Sequence, residues 1–266
     1  MKILVCIKQV PEFKHMDIEE GPDGVVGLDL FTDFKMNRFD EFAVETAIQL
    51  KEKRAADQTG NGADTEVHVL TVGPMRAADV LKRGIGMGAH HGIHIQTETD
   101  DFLSPSDIAA WIAAYASPMD YDLILTGSMS EDGMNGQVGP MLAGRMNLPC
   151  ATQVITCRMA AADGPVYVER EIEGGHREMA EIALPAVLAI QTGANRPRYP
   201  SLSNLLRAGR QTFDTIEPES LAAARANEVL EGFVMPRKTR AGRHLTGSPE
   251  EQAEQLIALL QEKAFI

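Results

Sequence analysis

The chain is short of cysteine, of tryptophan and of positive charge, and each shortage closes off a class of protein. Only three cysteines, Cys6, Cys150 and Cys157, occur in 266 residues. They cannot all pair and have no metal-ligand spacing, so neither a disulfide framework nor a thiolate metal site is expected. Cys6 lies in an apolar strand pattern and reads as a small buried hydrophobe, not a nucleophile. Lysine and arginine total 25 against 38 aspartate and glutamate, a formal net charge of -13. Nucleic acid and anionic membranes call for a basic surface, so neither is an expected partner. There is no run of about twenty apolar residues, so membrane insertion is not expected. The opening MKILVCIKQVP has too short an apolar run for a signal peptide, and Lys8 interrupts it; a cytoplasmic location is expected.

Catalytic constellations are also scarce. No Ser-His-Asp or Cys-His pairing stands out. His90, His91 and His94 cluster after a glycine-rich turn without further ligands at helical or hairpin spacing, so loop or strand-edge positions are expected. The single tryptophan, Trp111, has apolar helical neighbours and reads as core.

What the chain does have is apolar residues, at 44% enough for a sizeable core, and one informative stretch, residues 121–149. Residues 121–126 form a short apolar run that fits a buried parallel strand. A loop of small and polar residues, 127–139, follows. Residues 140–146 read as a helix with Pro140 in its first turn, where a missing N–H costs nothing. Strand, glycine loop and helix start present free backbone N–H groups to an anion. Gly127, Gly133, Gly136 and Gly139 let backbone approach a ligand closely, and Asn135 and Gln137 add side-chain donors. The loop holds no lysine and no GxGxxG spacing, so it is neither a Walker A loop nor a dinucleotide fingerprint. Its only carboxylates are Glu131 and Asp132, adjacent residues that read as solvated surface.

The rest of the chain alternates strand and helix. Residues 2–7 form a first strand, and Lys8 to Pro11 leave its carboxyl end, where α/β folds bind ligands. Residues 17–30 suggest a small hairpin. Asn37 can cap a helix over 38–54, with Asp40 near its positive end. Phe39, Phe42, Ala43, Ala47 and Leu50 share its apolar face, and Glu41, Glu45 and Glu52 lie mostly opposite. Residues 55–63 read as a flexible loop. Strands are expected over 66–72 and 92–96, with a helix over 77–83 and glycine-punctuated chain between them. Ser104 or Ser106 caps a further helix with Ile108, Trp111, Ile112 and Tyr115 on its buried stripe. The first choice of fold is α/β, with a doubly wound, mostly parallel sheet. After Pro149 the pattern alternates over 151–158, 165–170 and 176–182, as in an antiparallel meander. Residues 184–191 read as a further buried strand. Residues 195–210 combine two stiffening prolines with a short basic helix, capped by Ser203 and containing Leu205, Leu206, Arg207 and Arg210. Leu202 at its tip suits a docking surface, and a plain connector is the alternative. Residues 214–246 look like an arm that wraps another surface, and 250–264 an amphipathic helix.

These segments in this order resemble the small (beta) subunit of electron transfer flavoproteins over essentially the whole chain. The segments are KILVCIKQVP, MNRFDEFAVETAIQLKE, LTVGP with GIGMGAHHGIHI, DLILTGSMSEDGMNGQVGP, VEREIEGG, and LPAVLAIQTGANRPRYPSLSNLLRA. The resemblance implies an adenine nucleotide alpha hydrolase-like fold, with a nucleotide-binding domain over 1–210 and a C-terminal arm and helix over 211–266 packing on a partner. It implies a heterodimer whose larger alpha subunit carries a redox-active FAD, while this subunit binds AMP with no redox role. Motif by motif, it puts Cys6, Asn37, Arg38, Phe39, Asp40, Val72 and Gly127 around the nucleotide, with Ser130, Glu131, Asp132, Gly133, Met134, Asn135, Gly136, Gln137, Val138, Gly139, Pro140 and Met141. Glu171 matches a glutamate that holds the partner's flavin domain. Tyr199 and Leu202 fall in the segment that meets client dehydrogenases.

Three departures matter. Some relatives have threonine where this chain has Val138, which removes one hydroxyl from the phosphate. Asp132-Gly133 and residues 137–140 lean towards an electron-bifurcating branch, whose small subunit binds a second FAD in place of AMP and uses NADH. The recognition helix carries Arg207 and Arg210 where lysines are usual. A stand-alone ATP-binding regulator or hydrolase is the reading from another class, and it calls for a phosphate-binding lysine or a carboxylate pair near residues 127–139. A structural scaffold is a third option.

Overall fold

The computed structural model describes residues 1–12, 19–20, 26–27, 33–57, 65–98, 103–159, 164–222, 228, 231 and 242–265. Two compact units separate, Met1–Asp17 with Asp29–Glu231, and Ile18–Leu28 with Gly232–Ile266. In chain order the elements begin with β1 (Lys2–Cys6), β2 (Gln9–Pro11), β3 (Glu19–Glu20), β4 (Val26–Gly27), β5 (Phe34–Met36) and α1 (Arg38–Asp57). Then come β6 (Glu66–Gly73), α2 (Ala78–Met87), β7 (His91–Gln96), α3 (Pro105–Ala116), β8 (Leu123–Gly127) and α4 (Val138–Met146). The second half holds β9 (Cys150–Met159), β10 (Val166–Glu171), β11 (Arg177–Ile182), β12 (Ala186–Ile190), α5 (Leu202–Ala208), β13 (Asp214–Ile216) and α6 (Pro249–Glu262).

The main sheet runs β11-β10-β9-β12-β8-β1-β6-β7-β13. From β9 to β13 every neighbouring pair is parallel, and β10 and β11 add an antiparallel meander. The central strands are buried on both faces and read as apolar runs, Ile3 to Val5 and Leu123 to Leu125 among them. One face packs against α1 and α2 through Phe42, Ala47, Ile48, Leu81 and Ile85. The other packs against α3 and α4 through Ala109, Trp111, Ile112 and Leu142. Helices on both faces make the sheet doubly wound, as expected.

Chain order reverses at β1. β6, β7 and β13 lie on one side of it, and β8, β12 and β9 on the other. The crevice outside the carboxyl ends of β1 and β8 is therefore the topological switch point, where open α/β sheets bind ligands.

Several local expectations change. Glycines 84 and 86 do not end α2, which runs to Met87. They serve packing: a Cβ on Gly84 would come within 3.0 Å of Val69, and one on Gly86 within 3.0 Å of both Pro200 and Leu205. The cap of α5 is Ser201, whose side chain accepts from the Asn204 N–H; Ser203 lies inside the helix and Arg210 beyond it. Residues 214–216, expected to be irregular, pair with β7 as β13. Ser104 caps α3 by accepting from the Asp107 N–H. Trp111 is buried among its helical neighbours. His94 is buried in β7 beside the Gly73 carbonyl at 2.9 Å, and desolvation holds its pKa below the usual imidazole value. His90 accepts from the Val67 N–H, and His91 pairs with Asp214 at 2.8 Å. The loop expected over 55–63 falls mostly outside the described residues.

In the second unit β3 and β4 pair antiparallel, so the expected hairpin forms; its turn lies outside the described residues. Helix α6 starts with a reciprocal capping box between Ser248 and Glu251. Its apolar residues Leu256 and Ile257 are exposed. No helix among the described residues is long and apolar enough to cross a membrane.

Candidate functional site

Three pieces of chain meet at the switch point: the turn after β1, the first turn of α1, and the loop after β8. Asp40 ties two of the strands together. It is 5% exposed, and its carboxylate accepts from the Lys8 N–H at 2.6 Å and the Gly127 N–H at 3.0 Å. Burial pushes its pKa up to about 7, against the lowering effect of those N–H groups, Asn37 and the Lys8 charge. Asn37 directly precedes α1, and its side chain reaches across to the loop after β8. Its Nδ2 donates to the Met129 carbonyl at 2.9 Å, and its Oδ1 accepts from the Glu131 N–H at 3.1 Å. The α1 turn is closed by the Asn37 carbonyl, which accepts from Asp40 and Glu41. Asn37 and Asp40 therefore serve the neighbouring loop and strands more than the helix that carries them.

The loop's two carboxylates are both engaged by lysines from across the crevice. Lys8 Nζ reaches the Asp132 oxygens at 2.6 and 2.8 Å. Lys35 Nζ reaches Glu131 at 3.2 Å, and the Arg38 N–H donates to the same carboxylate. Burial alone would raise the Asp132 pKa, but Lys8, Ser130 and the Gly133 N–H hold it below the ordinary value. Lys8 and Lys35 were not foreseen as site residues. The signal for Lys8 was its place just beyond the carboxyl end of the first strand; a loop without its own lysine borrows one from there.

At two positions the glycines make room for the protein's own packing, not for a ligand. A Cβ on Gly127 would fall on the Asp40 carboxylate and within 2.7 Å of the Phe39 Cβ. One on Gly139 would come within 2.8 Å of the Thr126 hydroxyl, which is buried with no hydrogen-bond partner among the described residues. Gly136 has φ +62 and Met134 φ 50, both left-handed, which folds the loop back on itself. There the Met134 N–H donates to the Ser130 carbonyl, and a Cβ on Gly133 would meet the Asn135 amide at 3.5 Å. Helix α4 begins at Val138, two residues before Pro140, with Gln137 at its N-cap. The Val138 and Gly139 N–H groups have no acceptor among the described residues. Cys6, Val72, Val138 and Met141 all border the apolar layer under α3 and α4. Burial and the nearby Asp40 carboxylate raise the Cys6 thiol pKa far above its usual value, so it is not a nucleophile.

The donor set suits an anionic ligand. The crevice offers it the N–H groups at the start of α4 and the apolar side chains of Val72, Val138 and Met141, with Lys8 and Lys35 at the rim. The remaining expected residues lie elsewhere. Glu171 ends β10, four strands from β1, and is exposed opposite Arg177. Tyr199 and Leu202 are 88% and 73% exposed on the segment after β12. Glu45, expected on the outer side of α1, is buried at 3% and paired with Arg198 at 2.8 Å.

These features define an open, doubly wound α/β protein with a crevice at the switch point. Residues 28–225 match the electron transfer flavoprotein domain. The chain is 34% identical to the electron transfer flavoprotein subunit beta of Bacillus subtilis over 238 residues, 87% of each chain. It is 33% identical to the mitochondrial subunit beta of Oryza sativa over 245 residues, 91% of this chain and 92% of that one. The human subunit beta is 29% identical over 266 residues, 98% and 97% of the two chains. The chain belongs to the electron transfer flavoprotein family, among its beta subunits.

Proposed function

We propose that this chain is the beta subunit of a heterodimeric electron carrier and binds AMP in the crevice between β1 and β8. The observation that carries the reading is the convergence of Asn37, Asp40 and Lys8 on the end of β8 and the loop after it, which sets that loop beside the free N–H groups at the start of α4. An FAD held by an alpha subunit supplies the redox chemistry when bound. This chain's residues bind and position: the residue 127–141 region holds the nucleotide, Glu171 meets the partner's flavin domain, and the Leu202 segment docks dehydrogenases that deliver electrons. Residues 1–210 form the nucleotide-binding domain in this reading, with β13 from the following stretch completing its sheet. Residues 211–266 form an arm that packs on the alpha subunit, supported by the exposed apolar side chains of α6. An aqueous compartment such as the cytoplasm suits the role.

A hydrolytic reading finds the lysines it calls for in Lys8 and Lys35, but both are engaged by the loop's own carboxylates. Glu131 and Asp132 each already hold a lysine, and a carboxylate neutralised in this way is a poor ligand for magnesium. The deciding experiment is acid release and chromatography of nucleotides from the co-purified heterodimer. One FAD and one AMP per pair is the expected result. Two FAD and no AMP would place a second flavin at residues 130–141 and make the complex a candidate for bifurcation with NADH. No nucleotide beyond the alpha subunit's FAD would overturn the site.

A further inference from the structure

Between β12 and α5 the chain is exposed at its side-chain tips yet tied down along its backbone. Asn195 Nδ2 donates to the Phe42 carbonyl at 2.9 Å and to Thr46 Oγ1 at 2.8 Å, both on α1. The Arg198 guanidinium then forks across two carboxylates of the same helix. It reaches Glu45 at 2.8 and 3.1 Å and Glu52 at 2.6 and 2.9 Å, and the Arg198 N–H adds a bond to Glu45 at 3.3 Å. Glu45 is almost fully buried and also accepts from Gln49. A buried carboxylate is tolerated only with charged, hydrogen-bonded partners. A bidentate guanidinium meets that need in a way that a lysine cannot.

Helix α2 grips the segment from its other side. Pro200 and Leu205 occupy the space that a Cβ on Gly86 would need. Asn204 Nδ2 donates to the Gly86 carbonyl at 3.4 Å. Arg83, paired with Glu41 at 2.6 Å, lies 5.3 Å over the Tyr199 ring. In spite of these ties Tyr199, Leu202 and Leu206 present most of their surface outward. A connector does not need four anchors on two helices. A surface that must meet a partner in one conformation does, because ordering it at the moment of contact would weaken the encounter.

We propose that Arg198 is a positioning residue: forked across Glu45 and Glu52, it holds residues 199–206 as a preformed docking surface for the client dehydrogenase. The inference rests on the docking role proposed above for Leu202. The test uses the purified heterodimer and a purified flavin dehydrogenase that reduces the wild-type complex. Arg198→Lys keeps a cation beside Glu45 but breaks the fork. Glu52→Gln weakens only its outer half, at a half-exposed side chain, and stands in should the first variant fold poorly. Both should speed amide hydrogen exchange over residues 196–206, and leave nucleotide content and the saturating rate of flavin reduction unchanged. Each should raise the KM for the dehydrogenase, by roughly tenfold for Arg198→Lys and less for Glu52→Gln. Leu202→Ala runs alongside. Should it leave transfer unchanged, the docking role itself falls, and this inference with it. Should Leu202→Ala impair transfer while faster exchange in the Arg198 and Glu52 variants leaves KM unchanged, or exchange does not change, the positioning role alone is overturned.

Discussion

Asp40 offers the sharpest test of the crevice, because its charge state is set by two opposing effects of known sign. Burial raises its pKa from 3.8 to about 7, although two backbone N–H groups favour the carboxylate. An acid raised on folding favours the native state below its unfolded pKa and costs stability as pH rises towards its folded pKa. For 3.8 and about 7, linkage gives a penalty of about 2 kcal/mol at a pH near 5 and about 4 kcal/mol at a pH near 8. Asp40→Asn abolishes that penalty at every pH and in exchange leaves one of the Lys8 and Gly127 N–H groups without an acceptor, a loss of roughly 1–3 kcal/mol. The absolute effect of the substitution depends on the second figure, but its pH dependence does not. The variant should gain about 2–3 kcal/mol relative to wild type between pH 5 and pH 8. His68 and His94 act in the opposite direction over the lower part of this range, because desolvation depresses both. They are the same in both proteins and cancel in the difference. Denaturant unfolding of wild type and variant at both pH values, at one fixed protein concentration, reads the quantity directly. A stability difference that does not change with pH would mean that Asp40 titrates as an ordinary carboxylate and that the two N–H bonds outweigh burial.

Other perturbations separate the crevice from the docking segment. Leu202→Ala should slow electron delivery from a dehydrogenase in a flavin-reduction assay and leave cofactor content unchanged; equal rates would remove the docking role. Gly139→Val should push against Thr126 and lower bound nucleotide several-fold, and Asp132→Ala should lower it by releasing Lys8 from the loop, both read by acid release and chromatography. Unchanged occupancy in both would take the loop out of the site. Gly86→Ala adds a methyl 3.0 Å from Pro200 and Leu205. It gains up to about 1 kcal/mol of helix propensity in α2, yet it should displace α5 and weaken docking more than it changes the melting temperature; a more stable protein with an unaltered KM for the dehydrogenase would refute that.

Most of the sheet could be read from the sequence because its strands are buried on both faces, and continuous apolar runs such as residues 2–6 and 123–126 have few other uses. The meander was equally plain, since one face alternates. The misreadings share a cause: residues were assigned to their own element when they act on a distant one. Asn37 has the chemistry of a cap, but the loop after β8 comes close enough to take both ends of its amide. Glycines 84 and 86 look like turn residues, yet they lie inside the last turn of α2, where Val69 on one side and Pro200 and Leu205 on the other leave no room for a Cβ. Residues 214–216 show no strand pattern of note; the free edge of β7 makes them a strand. Around the candidate site, the loop after β8 was legible as a loop and the place of Lys8 beyond the first strand was a pointer, whereas Lys35 was not legible, because nothing in the spacing of the chain reveals which lysine a fold will swing over a loop 96 positions away.

Helix α1 carries this point furthest. Its apolar residues face the sheet as periodicity requires, and a simple amphipathic helix would leave the remainder to solvent. Instead Asn37 and Asp40 in the region of its first turn hold the loop and strand ends of the crevice. About two turns further on, Glu45 and Glu52 hold Arg198 beneath the exposed Tyr199 and Leu202. The two regions that the family resemblance assigns to different tasks are thus fixed by one rigid element, each through buried or half-buried carboxylates whose partners come from far along the chain. A carboxylate used in this way must be matched from outside the helix, so Glu45 without Arg198, or Asp40 without the Lys8 and Gly127 N–H groups, would be a buried charge without compensation. The constraint runs both ways. The segment after β12 cannot move away from α1 without exposing or stranding Glu45, so Tyr199 and Leu202 stay in solvent on a chain that is held in place.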